Sequence, residues 1–339
     1  MANITASFLQ VHPNYTMPEA ILQYEQASGF IETLGGADLQ TRIGTEDLYV
    51  YANVFDIRTK NAAGQSAGNA LPSCTITAQQ ISTPTYLIRS RAEYDHHDIA
   101  AFAQWKQSLP EAQRLGNRQG FFQTIRNAAL YGFNPPNGEG LVNAAGSTSV
   151  TLPPDTFSND TVVTYDNGEM AQFLQQQIVL AKTRMNQLGM PNRVVILGPQ
   201  RVLGWWQFNI VQLTSAQRPG AGFLTTMGTV SEVEKEVGDT FEWGYDDTMI
   251  GKGANGTDLV LIVIPEIKKP DGGKINTSEF AQLTPGLAAT TLQFCDMAAP
   301  REIPVPLPGG ATDVTFEQRI TSGWAVRPEA ITNISMQYS

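Results

Sequence analysis

The chain has 339 residues, 42% of them apolar and only 16% charged, with a net charge of −10 from 22 basic and 32 acidic side chains. Length and apolar content allow one large domain or two, with a sizeable core. The acidic balance and the lack of any basic run exclude a dedicated site for a phosphate backbone, which needs clustered Lys and Arg.

A charge fraction below the usual quarter or so, with 30 Gly and 20 Pro, suits either a surface covered by neighbours or a loop-rich monomer. Cys74 and Cys295 sit among apolar or hydroxyl neighbours and make no disulfide framework. No apolar run reaches the ~18 residues of a membrane span. The start lacks a basic n-region and an apolar h-region, so no secretory signal is read. The Asn-X-Ser/Thr triplets at Asn3, Asn14, Asn159, Asn255, Asn276 and Asn333 are then chance matches.

Residues 1–45 have little periodicity, although a short helix fits 18–27. Phe8, Leu9, Ile21, Leu22, Tyr24, Phe30 and Ile31 are too many apolar residues for a disordered tail, so the segment is expected to lie across another surface. Residues 48–57 are rich in β-branched and aromatic types and read as a strand. A flexible Gly/Ala/Asn/Ser tip follows at 59–72, and 74–78 and 85–90 read as two returning strands. A long hairpin without a partner sheet is marginal in water and calls for a second domain or a second subunit.

Residues 95–131 read as helix in two pieces. Asp95 or Asp98 caps the first, with Ile99, Phe102, Ala103 and Trp105 on its apolar face. Ser108 and Glu111 fit a capping box with a tolerated early Pro110, and Gly132 supplies the stop. The clearest helix is 169–188, where Met170, Leu174, Ile178, Ala181, Met185 and Leu188 form a core-packing stripe ended by Gly189. A buried strand is expected at 193–197 and a short helix or turn at 199–208. The glycine-bearing stretch 213–257 is long enough to suggest a functional loop. The apolar run 259–264 predicts a strand covered on both faces. Further strands are expected at 289–294, 314–320, 323–326 and 331–338. In the last, Ile334, Met336 and Tyr338 share one buried face, while Ile331 is out of phase and faces the other side or precedes the strand. That strand is expected to complete the sheet beside the long helix.

Catalytic signals are weak. Gly251, Gly253 and Gly256 satisfy a Gly-X-Gly-X-X-Gly pattern, but it leads into a strand rather than a helix and reads as a turn. His96 and His97 lie between Asp95 and Asp98; adjacent helical residues point apart, so a shared metal is not expected. No nucleophile elbow, zinc spacing or phosphate loop occurs. No catalytic, cofactor-binding or metal residue is assigned.

Two stretches are more telling. Asn127-Ala128-Ala129-Leu130-Tyr131-Gly132 runs through a proline-glycine turn into Gly138-Glu139-Gly140-Leu141-Val142-Asn143. The tail carries Gly323-Trp324, then Arg327-Pro328-Glu329-Ala330 before its last strand. With the element order, these resemble the major capsid proteins of tailed bacteriophages with the Hong Kong 97 fold, an α+β fold. Gly140, Leu141 and Asn143 look like the turn after the long spine helix, with Val142 in place of Leu; Trp324, Arg327, Pro328 and Glu329 look like the closing motif. Physically, Gly140 would permit a tight turn, Leu141 would plug a core and Pro328 would end pairing on an edge.

The resemblance implies an N-terminal arm (1–45), an E-loop hairpin (46–84), a peripheral domain with the spine helix (85–150), an axial domain (151–300) and a return to the peripheral domain (301–339). It implies a protein that is not an enzyme and needs no cofactor. Copies would form the hexamers and pentamers of an icosahedral virion shell, built in the bacterial cytoplasm away from any membrane. That shell would enclose double-stranded DNA without sequence-specific binding, with separate scaffolding, portal and decoration proteins as partners. The absence of a coiled-coil-like leader implies no fused scaffolding segment. Lys60, near the hairpin tip, is a candidate for covalent crosslinking, with no matching Asn or Glu assigned. The alternatives are an encapsulin-like nanocompartment shell and a soluble α/β enzyme with a β-rich lid.

Overall fold

A computed structural model describes residues 40–58, 75–104, 108–185, 187, 191–208, 211–214, 225–228, 239–267, 290–297 and 300–339. The helix expected at 18–27, the hairpin tip with Lys60, and Cys74, Trp105, Leu188 and Gly189 lie outside them. In chain order the strands are β1 (Gln40–Arg42), β2 (Tyr49–Arg58), β3 (Thr75–Tyr94), β4 (Thr148–Thr151), β5 (Arg193–Gly198), β6 (Val211–Thr214), β7 (Thr225–Gly228), β8 (Thr240–Tyr245), β9 (Asp258–Val263), β10 (Leu292–Asp296), β11 (Arg301–Pro306), β12 (Thr312–Thr321), β13 (Trp324–Ala325) and β14 (Ile331–Met336). The helices are α1 (His96–Gln104), α2 (Leu109–Tyr131), α3 (Asn167–Arg184) and α4 (Gln200–Phe208).

Among the described residues, one sheet runs β1-β10-β12-β3-β2, with β11 on β12 and β13 on β10; a second runs β4-β14-β9-β5-β8; β6 and β7 form a separate pair. Among the described residues the second sheet carries a core on each face. Its apolar strands alternate between two cores, as side chains of period two must. Val195, Leu197, Leu259, Leu261 and Val263 pack with the end of α2 and with Leu292, Phe294 and Ile320 of the first sheet. Val194, Ile196, Val260 and Ile262 pack against Met170, Leu174, Ile178 and Ala181 of α3 and Val202, Leu203 and Trp206 of α4. All six residues of β9 are buried, as its apolar run predicts.

The two returning strands of the hairpin are one strand of 20 residues, β3. It changes partner midway: 75–84 pair with β2, and 85–94 pair with β12. Pro84 stands at this handover, on the last rung of one ladder and just outside the other, where a missing N–H interrupts neither. The first half of β3 and β2 form a two-stranded ribbon with Tyr49 and Tyr51 well exposed.

Asp95 caps α1: one carboxylate oxygen accepts from the N–H groups of His97 at 2.7 Å and Asp98 at 2.8 Å. These bonds hold the Asp95 carboxyl below the usual carboxylate range. The His96 and His97 rings do not point apart; their centroids are 3.9 Å from each other. His96 opens the first turn, before helical geometry fixes the fan of side chains. The capping box on α2 does not form. Ser108 takes the extended cap conformation with no side-chain bond, and Glu111 lies instead 4.0 Å from Arg114, one turn along. α3 ends at Arg184, short of the expected boundary, and starts on Asp166, whose carboxylate accepts from Gly168 and Glu169 N–H.

The stretch read as one loop from 213 to 257 contains β8, which lies parallel to β5 in full register. Its Trp, Phe and Tyr residues were masked by the surrounding glycines. The Gly-X-Gly-X-X-Gly segment is a turn leading into β9. The last strand corrects another expectation. β14 lies inside the second sheet, parallel to β4 and antiparallel to β9, not in the sheet that carries β12. Its phase is as read: Ile334, Met336 and Tyr338 face the α3 core, and Ile331 faces the α2 core. No helix among the described residues is long and apolar enough to cross a membrane.

Candidate functional site

A helix end leaves four carbonyls without intrahelical donors, and burying them requires partners from elsewhere. In α2 these are Ala128, Ala129, Leu130 and Tyr131. Gly132 N–H and Gly323 N–H donate to Ala128 O, Leu141 N–H to Ala129 O at 3.1 Å, and Val142 N–H to Leu130 O at 3.0 Å. The Asn143 side-chain amide donates to Tyr131 O at 2.9 Å. One short turn therefore closes three of the four carbonyls, and Gly132 with the tail closes the fourth.

Such close approach depends on missing side chains. Gly132 and Gly140 have φ of 72° and 86°, the left-handed region. A Cβ on Gly140 would stand 2.5 Å from Gly132 N, and one on Gly323 would overlap the Ala129 carbonyl oxygen. Gly140 N–H in turn donates to Gly323 O at 2.8 Å. The two sequence stretches meet at that bond.

A buried carboxylate ties the joint to the hairpin. Glu139 accepts at one oxygen from Tyr86 of β3 at 2.7 Å. The other accepts from Ser322 Oγ at 2.9 Å and Asn134 N–H at 3.0 Å. Burial and this acidic partner push the Tyr86 phenol up to about 12. Tyr86 also packs on Phe133, with ring centroids 4.6 Å apart. Both carboxylate oxygens are occupied, so the cluster can join elements but presents no open face for acid–base work.

The singled-out residues divide into two groups. Gly140, Leu141 and Asn143 form the joint, Leu141 buried in the α2 core. Trp324 is buried beside it on β13 and pairs with Gln293. Arg327, Pro328 and Glu329 lie apart. Pro328 does not end an edge; it opens one turn of 3-10 helix leading into the central β14, and packs against Gly146. Arg327 N–H donates to Thr291 O, and Glu329 O accepts from Arg184. Tyr86, Glu139, Ser322 and Gly323 escaped the sequence reading as site residues. The only local signal was an acidic residue set between two glycines, at Glu139.

No family model and no curated protein matches the sequence. Solved structures do match. The capsid of Myoviridae phage XM1 superposes with a TM-score of 0.64 at 12% identity, over 95% of this chain and 96% of that one. The chain has the Hong Kong 97 capsid fold. The capsid of cyanophage P-SCSP1u gives 0.55 at 11% identity, covering 100% and 96%. The capsid of an empty GTA particle gives 0.52 at 11%, covering 96% and 95%. In this Hong Kong 97 chain, the joint around Gly140 and Glu139 binds the long helix, the hairpin strand and the tail at one point.

Proposed function

We propose that this chain is the major capsid protein of a tailed bacteriophage. The observation that carries the reading is the correspondence over nearly the full length of both chains with phage capsid subunits. The hairpin supports it. The β2–β3 ribbon has no third strand among the described residues, and two strands alone are marginal in water. A neighbouring copy would supply the missing surface.

In this reading residues 1–45 are the N-arm, 46–84 the E-loop, α2 the spine helix of the peripheral domain, and α3 with the second sheet the axial domain. The segment 301–339 links them, through β11 and β12 in the first sheet and β14 in the second. The role is structural, not enzymatic. Copies form hexamers and pentamers of an icosahedral shell in the virion, assembled in the host cytoplasm. The shell encloses double-stranded DNA without reading its sequence, which suits a net charge of −10. Scaffolding, portal and decoration proteins are the expected partners.

Electron microscopy of the expressed chain, alone and with the structural proteins encoded beside it, tests this. Closed shells of uniform diameter are expected. A monomer with no particles under either condition would overturn the reading.

A further inference from the structure

We infer that the Tyr86–Glu139–Ser322 cluster sets the angle at which the hairpin leaves the subunit, and through it the curvature of the shell. The inference rests on the capsid reading above. Tyr86 lies two residues past Pro84, where β3 passes from β2 to β12. Everything beyond that point is ribbon, held laterally only by its own strand pair among the described residues. Direction must therefore be fixed at the root.

Two clamps are found there. Thr85 donates its N–H to Leu48 O at 3.0 Å and its hydroxyl to Asp47 O, and receives Arg319 at 2.9 Å. This clamp is only partly buried and joins the ribbon only to its own sheet. Tyr86 makes the other, and it reaches out of the sheet to the buried Glu139, at the end of α2. Ser322 and Asn134 N–H hold the far carboxylate oxygen, so Glu139 cannot swing to follow Tyr86.

Leverage turns this local bond into a large-scale quantity. Ten ladder pairs extend about 33 Å at the usual rise per residue. A change of about 5° at the root then moves the far end by about 3 Å, the length of a hydrogen bond. A shell closes only when the same contact repeats around every ring. Tyr86 is a positioning residue in this sense.

The test compares Y86F and S322A with the wild-type chain by thermal melting and by the distribution of particle diameters. N159A is the control, because the side-chain bond it removes, to Asp155, involves no residue of the ribbon or of the Glu139 cluster. Wild type and N159A should give one size class. Y86F should melt as a folded subunit yet give several size classes or open sheets. If Y86F is insoluble, S322A carries the same readout. A single class of wild-type diameter from the soluble variants overturns the inference; wild-type chains that make no shells overturn the capsid reading instead.

Discussion

Gly140 donates its N–H to the carbonyl of Gly323 across 2.8 Å, and neither residue has room for a side chain. Replacing either by alanine should be costly. At Gly140 the left-handed backbone adds ~1–2 kcal/mol and overlap with Gly132 another ~1–3 kcal/mol, against a total stability of ~5–15 kcal/mol. Gly116 is the opposite case: it is in α2, and a Cβ there meets nothing within 4 Å. G116A should stabilise by about 0.5–1 kcal/mol. Urea midpoints that fall for G140A and G323A and rise for G116A are expected.

The hairpin tip should be dispensable for folding and required for assembly. Among the described residues, no core member comes from its ladder. Deleting residues 61–70 should leave a soluble subunit with an unchanged melt that closes no stable shell. Normal particles from this deletion would contradict the assignment.

Removing residues 323–339 should prevent folding. All six residues of β14 are buried, and their loss strips β4 and β9 of their shared neighbour. At ~25 cal/mol per Å2 the lost burial amounts to several kcal/mol. A soluble truncated monomer with a cooperative melt would show instead that the tail is dispensable.

The buried Lys182–Asp239 pair, 2.7 Å apart, should resist single substitution. Asp239 also accepts from Asn192 N–H at 2.9 Å. D239N would remove the carboxylate that faces the buried ammonium, at a cost of up to about 3–5 kcal/mol. K182M/D239L should cost less than the sum of the single changes in a double-mutant cycle.

Tyr86 predicts an alkaline limb. Its folded-state value is raised to about 12, above the ordinary ~10 of the unfolded chain. The protonated phenol thus favours the folded state. This contribution is fully present below pH ~10 and is lost as pH rises towards 12. Melting temperature should fall more steeply over that range in wild type than in Y86F.

The long apolar runs and helical stripes were legible because each records one periodicity. The run 259–264 gave β9, and Met170, Leu174 and Ile178 gave α3. The turn after α2 was legible because glycines with positive φ leave few alternatives. The partner of each strand was not legible. Nothing local distinguishes a tail strand that joins β12's sheet from one that enters between β4 and β9. Glu139 was unreadable for the same reason, since Tyr86 and Ser322 come from remote segments. β8 was hidden because Gly244 and the glycines on either side of the strand resemble those of a loop.

The position of β14 also bears on how the chain reaches its fold. β4 and β9 both await a strand that lies far from them in sequence. Until it arrives, the apolar edge of β9 is open to any other chain, and pairings this distant form slowly. The interval before closure is when aggregation competes with folding. Recovery of soluble subunit is therefore a matter of rate: slower synthesis and lower chain concentration give β14 time to insert before another molecule takes its place.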